Sequence, residues 1–342
     1  MALDGAAYSP KEFELSFSTE SVASGNIGEQ RTTGFIDLNV DSVEMPSFNP
    51  TVILDPRTGT GRTAKSADAY VSQKGMVTEV NFSGIADTQA LPLLVTNLMT
   101  QGVATSPASY DIPFNYSPPE LEHNVAITSA DDYTKTLTVQ IANPEAGDDH
   151  SIFLPGCVLT SLSLSGDIGT DNGRITMSGT FKTQYKPNTG QARVAGTAYT
   201  SNYYYLTNFN TTKKIAGVNY CVIQSMTLNL ENPTEYVGFQ GANADPEAIV
   251  RAIPEISANM DATIKMDDNT AGLHTSFLSG SNVATMLSNT ASNDWTNASA
   301  FGIQASYGRI TSVSFNESAA MYLDVSQKFL GGASGDLIQL VV

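Results

Sequence analysis

A chain of 342 residues, 41% hydrophobic and only 15% charged, is long enough to bury one large core or two ordinary ones, and its polar surface must lean on Ser, Thr and Asn. Its 17 basic residues against 34 acidic ones leave a net charge of −17, which excludes a groove that grips phosphates through many Lys and Arg. The 27 Gly and 15 Pro suit strands joined by tight turns, and no apolar run reaches membrane-spanning length. Met1-Ala2-Leu3-Asp4 lacks the basic start of a secretory signal. Two cysteines, Cys157 and Cys221, fall short of a disulfide framework. They read as reduced thiols, Cys157 in or near a strand, with a single bridge between them left open.

Residues 1–29 are expected to form an N-terminal arm in which Phe13, Leu15 and Phe17 alternate. Such an arm can pair as an edge strand, on this molecule or on a neighbour. Over residues 35–45 the chain splits by parity, Ile36, Leu38 and Val40 on one face and Asn39 and Asp41 on the other. A loop over residues 55–73 carries Arg57, Arg62 and Lys65. Residues 77–85 alternate again, with Thr78, Val80 and Phe82 on one face. Asp87-Thr88 has the chemistry of a helix N-cap, and Leu91, Leu94, Val95 and Leu98 follow at helical spacing. Pro92 sits in the first turn, where its missing N–H does no harm. After a Pro- and aromatic-containing excursion over 107–119, strands are expected at 136–141, 158–164 and 174–181. Asn172-Gly173, between the last two, signals a hairpin.

Residues 187–216 read as a connector bearing Tyr203, Tyr204 and Tyr205. The same grammar then returns. A strand over 222–230 leads into a loop over 239–251 that holds Asp245 and Glu247, and Met260, Ala262, Ile264 and Met266 alternate in a further strand. A short helix within 271–287, a hairpin over 309–330 and a last strand over 337–342 complete it.

The chain therefore says nearly the same thing twice. Thr160-Ser161-Leu162-Ser163-Leu164 is answered by Thr311-Ser312-Val313-Ser314-Phe315, and Asn49-Pro50-Thr51 by Asn232-Pro233-Thr234. The phase of Ile175, Met177, Gly179 and Phe181 is answered by Met321, Leu323, Val325 and Gln327. A long-period duplication of strand-rich units predicts a mainly β chain of two tandem β-sandwich or half-barrel units, each with one flanking α-helix. The expected limits are 30–186 and 217–342.

Motifs for chemistry are poor. Gly59-Thr60-Gly61-Arg62-Thr63-Ala64-Lys65-Ser66 has Ala64 where a phosphate-wrapping loop needs Gly, so a polar loop is the better reading. Asp167, Asp171 and Asn172 lack the ligand order and closing Glu of a calcium loop, and a hairpin turn explains them. Asp148, Asp149 and His150 make an acidic turn rather than a four-ligand metal site. His123 and His274 stand near no nucleophile elbow, and a sugar-cleaving cleft finds one tryptophan, Trp295, as a platform. The reading is no enzyme, no cofactor and no metal. Arg57, Arg62 and Lys65, scarce positive charges on a long loop, suit contact with an acidic neighbour such as the loop holding Asp245 and Glu247, or simply a solubilising surface.

The run Leu154-Pro155-Gly156-Cys157-Val158-Leu159-Thr160-Ser161-Leu162-Ser163-Leu164-Ser165-Gly166-Asp167, then Asn172-Gly173-Arg174-Ile175-Thr176-Met177-Ser178-Gly179, resembles the tail tube (major tail) proteins of long-tailed bacteriophages. Glu29-Gln30-Arg31-Thr32-Thr33-Gly34 through Asn49-Pro50-Thr51, and Ile253-Pro254-Glu255-Ile256-Ser257, fit the same family. The resemblance implies a β-sandwich that polymerises into rings, rings that stack into a tube, and a genome that passes through without specific binding. With two tube folds per chain it implies trimers of pseudo-sixfold symmetry. Implied partners are the chain itself, tail tip or baseplate and tail terminator proteins, and a tape measure protein during assembly, with no membrane. The implied place is the virion tail, assembled in the host cytoplasm. Two other readings stay open: a capsid decoration or baseplate hub protein, and a glycan-binding or glycan-cleaving β-sandwich.

Overall fold

Alternating sequence becomes strands with one buried face. Val80 and Phe82 are buried while Glu79 and Asn81, which alternate with them, are exposed, and Ala258, Met260, Ala262 and Ile264 are buried along a later strand of the same kind. The computed structural model describes residues 10–20, 28–46, 51–54, 69–72, 77–98, 100–103, 109–112, 124–125, 136–144, 151–209, 212–237, 246, 248–251, 256–288, 302–317, 321–331 and 337–341.

The first half contains β1 (Glu14–Thr19), β2 (Ile36–Asp37), β3 (Val40–Val43), β4 (Thr51–Leu54), β5 (Ala69–Ser72) and β6 (Thr78–Ile85). Helix α1 (Ala90–Leu98) follows, then β7 (Thr100–Val103), β8 (Ser109–Ile112), β9 (Asn124–Val125) and β10 (Leu137–Ala142). It closes with β11 (Ser151–Asp167), β12 (Thr176–Thr183) and β13 (Asn188–Gln191). The second half runs through β14 (Thr212–Ile215), β15 (Val218–Asn219), β16 (Ile223–Glu231), β17 (Thr234–Val237), β18 (Ala248–Arg251) and β19 (Ser257–Lys265). Then come α2 (Leu273–Ser279), β20 (Val283–Ser288), β21 (Gly302–Glu317), β22 (Met321–Phe329) and β23 (Ile338–Val341).

The fold is mainly β and antiparallel, with few helices. One continuous layer runs β3-β6-β12-β11 and passes directly into β16-β19-β22-β21. A second layer is built from β2-β1-β10-β11-β13 in the first half and β15-β14-β20-β21-β23 in the second. The long strands β11 and β21 belong to both layers. Strand β8, from the excursion, adds to β23 of the other half.

The two halves share register down to their irregularities. In β11 a bulge falls between Leu159 and Ser161 opposite β12, and in β21 it falls between Ile310 and Ser312 opposite β22. Ser161 thus corresponds to Ser312, Leu164 to Phe315 and Met177 to Leu323. A bulge between Val40 and Ser42 in β3 is matched by one between Ile223 and Ser225 in β16. Hairpin β4/β5 starts at Thr51 as β17/β18 starts at Thr234, so the two Asn-Pro-Thr motifs occupy one place in the repeat. Bulges recur because they re-aim a strand, here from one layer to the other.

Between the layers lies one apolar cluster to which both halves contribute, from Leu15 and Phe17 to Leu337 and Leu340. Helix α1 closes it over β11, with Leu91, Leu94, Val95 and Leu98 buried as their spacing predicts. Asp87 Oδ1 accepts from the N–H groups of Gln89 and Ala90 at 2.8 and 3.0 Å, the expected N-cap. The expected arm holds β1, whose partners β10 and β2 lie in this same chain.

The strand expected at 158–164 starts at Ser151, because Pro155-Gly156 continues it instead of breaking it. Gly156 has φ +63°, and a Cβ there would lie 2.2 Å from the Tyr185 ring. Gly156→Ala should therefore lower unfolding free energy by about 3 kcal/mol, combining left-handed strain and overpacking. Gly272→Ala, where a Cβ meets nothing within 4 Å, should be near neutral. Urea unfolding of the two variants checks both.

Candidate assembly surface

The seam between the halves is an edge-to-edge strand pairing. Residues 161–167 of β11 run antiparallel to 225–231 of β16, with Leu162 opposite Leu230 and Leu164 opposite Leu228. All four leucines are buried. On the other face Ser163 Oγ donates to Asn229 Oδ1 at 2.7 Å, and the hydroxyls of Ser165 and Thr227 are 3.0 Å apart. Each pairing is local chemistry repeated along two strands: apolar side chains inward, hydroxyls and amides outward.

The second half also straps the first. Asn232 of the second Asn-Pro-Thr donates from its backbone N–H to the Thr160 carbonyl at 2.8 Å and from Nδ2 to the Leu98 carbonyl at the end of α1 at 2.9 Å. Hairpin β17/β18 then lays Tyr236 and Ile249 against Val158 and Tyr185 in a small core of their own. Tyr236 Oη donates to the Lys182 carbonyl at 2.6 Å, and Tyr185 Oη to the Pro246 carbonyl at 2.9 Å.

Beneath this strap lies a buried carboxylate. Glu20 accepts from Thr136 Oγ1 (2.5 Å), Thr138 Oγ1 (2.8 Å) and the N–H groups of Gly156 (2.8 Å) and Gly28 (3.0 Å). It ties the arm to β10 and β11. Burial, outweighing these donors, lifts its pKa above the ordinary 4.5. Burial likewise lifts Asp37, where Glu14 adds to the effect, and Asp87. Cys157 and Cys221 are free and buried; desolvation raises Cys157 well above a usual thiol and pushes Cys221 up to about 11. Neither is a ready nucleophile.

The face of the continuous layer turned away from the core is carpeted with short polar side chains. Ser42, Ser83, Ser178, Ser163, Asn229 and Asn259 form one cross-strand row. Adjacent rows pair Thr180 Oγ1 with Asn81 Oδ1 at 2.8 Å and Thr263 Oγ1 with Asp324 Oδ1 at 2.6 Å. Acidic Glu79, Glu231, Asp261 and Asp324 and basic Lys182, Lys265 and Lys328 sit among them. Two shallow hollows on this face, of about 350 and 140 Å³, are lined by these rows.

The layer ends on both sides in edges that have no partner among the described residues: β3 pairs with β6 alone, and the outer part of β21 with β22 alone. Phe315 on β21 is 53% exposed and Met45, just past β3, is 39% exposed. Sequence patterning missed this, because an alternating strand looks the same at an edge as in the centre of a sheet.

Arg57, Arg62 and Lys65 lie outside the described residues, in the segment between β4 and β5, and Asp245 and Glu247 lie outside them between β17 and β18. So do the segment 59–66, His123, Asp148, Asp149 and His150. Asp167 and Asp171 belong to a tight turn, where Asp167 Oδ1 accepts from Gly169 N–H at 2.7 Å and Asp171 pairs with Arg174 at 2.8 Å. His274 lies on α2 with its ring 5.3 Å from Phe315. Among the described residues no group of three or more His, Cys, Asp and Glu is placed to hold a metal ion, and no helix is long and apolar enough to cross a membrane.

A duplicated antiparallel fold with sheet edges for its surface of interest defines a structural subunit. The chain matches the phage tail tube protein family over residues 13–306, and it belongs to that family. It is accordingly a structural protein of the phage tail. A comparison with curated proteins gave no match.

Because Glu20, Asp37 and Asp87 hold protons more tightly folded than unfolded, their contribution is fully present below their ordinary values and is lost as pH rises through the folded ones. The dilute protein should thus lose urea resistance as pH rises from about 4, the ordinary carboxyl range, toward 8. Glu20→Gln should flatten that slope and cost about 2 kcal/mol at neutral pH, since either orientation of the amide sets its NH2 against a glycine N–H. Urea midpoints across this range check both.

Proposed function

We propose that copies of this chain close into rings that stack into the tail tube, through which the genome passes into the host. The observation that carries this reading is the seam: the chain joins its own two halves by an edge pairing that its two outer edges, unpartnered among the described residues, can repeat. A head-to-tail interface that closes gives a cyclic oligomer and removes every sheet edge. Three chains make a ring of six pseudo-equivalent halves.

Size supports it. Four strands from each half give roughly 24 around the ring, and at about 4.8 Å between strands the backbone diameter is at least about 37 Å before tilt is added. That is wide enough for a DNA double helix. The polar face would line the bore, its hydroxyls and amides hydrated, its acids repelling phosphate, and its three lysines too few for a tight grip.

Arg57, Arg62 and Lys65 on one loop and Asp245 and Glu247 on the other are the proposed ring-to-ring contacts. Their stems β4/β5 and β17/β18 correspond, so basic and acidic loops alternate around one rim and meet the next ring together. Tip or baseplate, terminator and tape measure proteins are the proposed partners, with assembly in the host cytoplasm before incorporation in the virion tail.

Electron microscopy of the purified protein at high concentration, with its mass in dilute solution, should show hollow stacked tubes and three-chain rings. Isolated rings that never stack would favour a decoration or hub protein, and a stable monomer that binds glycan would favour the other alternative. Reversing Arg57, Arg62 and Lys65 to Glu should leave rings but shorten or abolish tubes. Tubes of unaltered length and yield would remove these residues from the stacking contact.

A further inference from the structure

We infer that the partner of the free β21 edge is the β3 edge of a second copy of this chain, in the register used inside the chain between β11 and β16, so that Phe315 of one copy lies opposite Met45 of the next. The inference rests on the ring reading and adds the residue-level seam. Leu164 corresponds to Phe315 through the shared pairing with β12 and β22, and Leu228 to Met45 through the shared bulges of β16 and β3. Leu164 and Leu228 face each other and are both 0% exposed, whereas Phe315 and Met45 stand 53% and 39% exposed on opposite open edges. Two large apolar side chains left in water at two of the four places where the internal seam buries leucines are what an unmade seam looks like; the half-buried Val313 stands at the place of Leu162 and, by count along the sequence, Ser47 at that of Leu230.

The polar side of the register agrees. Ser165 opposite Thr227 becomes Asn316 opposite Glu44, polar against polar, where in the single chain the Asn316 amide donates to Asp324 at 3.1 Å and Glu44 accepts from Asn81 at 2.7 Å. The backbone agrees as well. Glu44 N–H donates to Asn81 O at 2.9 Å, toward β6, so alternation turns the N–H groups of Val43 and Met45 outward. Pro46, which has no N–H, falls on the β6 side, where the open edge loses nothing. By the other edge, where α2 packs on β21, Leu278 of α2 is 83% exposed while Leu98 of α1, whose carbonyl Asn232 ties down from the second half, is buried. A slip by one residue would send the apolar set to the polar face, so the register is specified.

The full-length double variant Phe315→Cys with Met45→Cys tests this under mild oxidation, at a concentration where the wild type assembles. Opposed residues of a hydrogen-bonded pair lie about 5.5 Å apart, within disulfide reach. Both positions are exposed in the single chain, and the native thiols are buried. The expected result is a non-reducing ladder up to the trimer, absent from the slipped pair Phe315→Cys with Val43→Cys. A ladder mainly from the slipped pair, or tubes that form while neither pair links, would overturn the register and leave the tube reading standing. No assembly of the wild type at any concentration would overturn the tube reading and this inference together. If the cysteines themselves block assembly, Phe315→Ser is compared with Tyr199→Ser at an exposed site elsewhere. Loss only at Phe315 supports the seam, and equal loss at both overturns it.

Discussion

Everything in this molecule hangs on one strand lying beside another: β11 beside β16. That pairing satisfies two rows of backbone N–H and C=O groups that would otherwise be edges, and it brings two half-cores into one cluster. Neither half would be complete without it. Leu162 and Leu164 are covered by Leu228 and Leu230, and α1 has its last carbonyl tied by Asn232 from across the seam. The strap formed by β17/β18 covers Val158 and Tyr185 in the same way. Removing the second half would open an apolar strip and a row of unmet hydrogen bonds together, so the two halves should unfold as a unit.

The long strands make the seam possible. Because β11 serves both layers, its bend fixes the outer sheet relative to the inner one, and Gly156 at that bend is held by Glu20 from the arm and by the Tyr185 ring. Arm, bend and strap are therefore one mechanical unit. The carboxylate accepts four hydrogen bonds and still has its pKa raised, which shows how fully it is shut away from water.

Much of this was legible in the sequence, for local reasons. Period-two alternation gave β6, β12, β16, β19 and β22 their buried faces, and Asp87 with the Leu91, Leu94, Val95 and Leu98 stripe gave α1. The repeat itself was readable because its bulged Thr-Ser pairs, and the hairpins that open at Thr51 and Thr234, sit at equivalent places. What could not be read was non-local. Strand β20 fell inside the window expected for a helix, since Val283 to Ser288 is too short to declare a period. The strand expected at 158–164 begins earlier, at Ser151, because Gly156 takes a left-handed φ and its N–H is held by Glu20, a residue far away in sequence. The seam is invisible to patterning, since the same alternation serves an edge strand and a central one. Of the candidate contact residues, the charges at Arg57, Arg62, Lys65, Asp245 and Glu247 were legible while Phe315 and Met45 were not: a single exposed apolar residue has no signature until its neighbours are known.

Duplication also changes the physics of a ring. If six single tube folds assemble, six bodies lose translational and rotational freedom and all seams are alike. With two folds per chain only three bodies are immobilised, and alternate seams are fixed covalently, each with its own sequence. The internal seam can then bury leucines on its inner face for good, with hydroxyls and amides paired on the outer one. In the proposed ring the external one would be open to tuning, with Phe315 and Met45 supplying attraction. The same freedom lets corresponding loops carry opposite charge, Arg57, Arg62 and Lys65 against Asp245 and Glu247, which six identical copies of one fold could not do. A ring with alternating charge on its rim accepts the next ring at a restricted set of rotations, so the covalent link inside each chain would set the angular order of the whole tube.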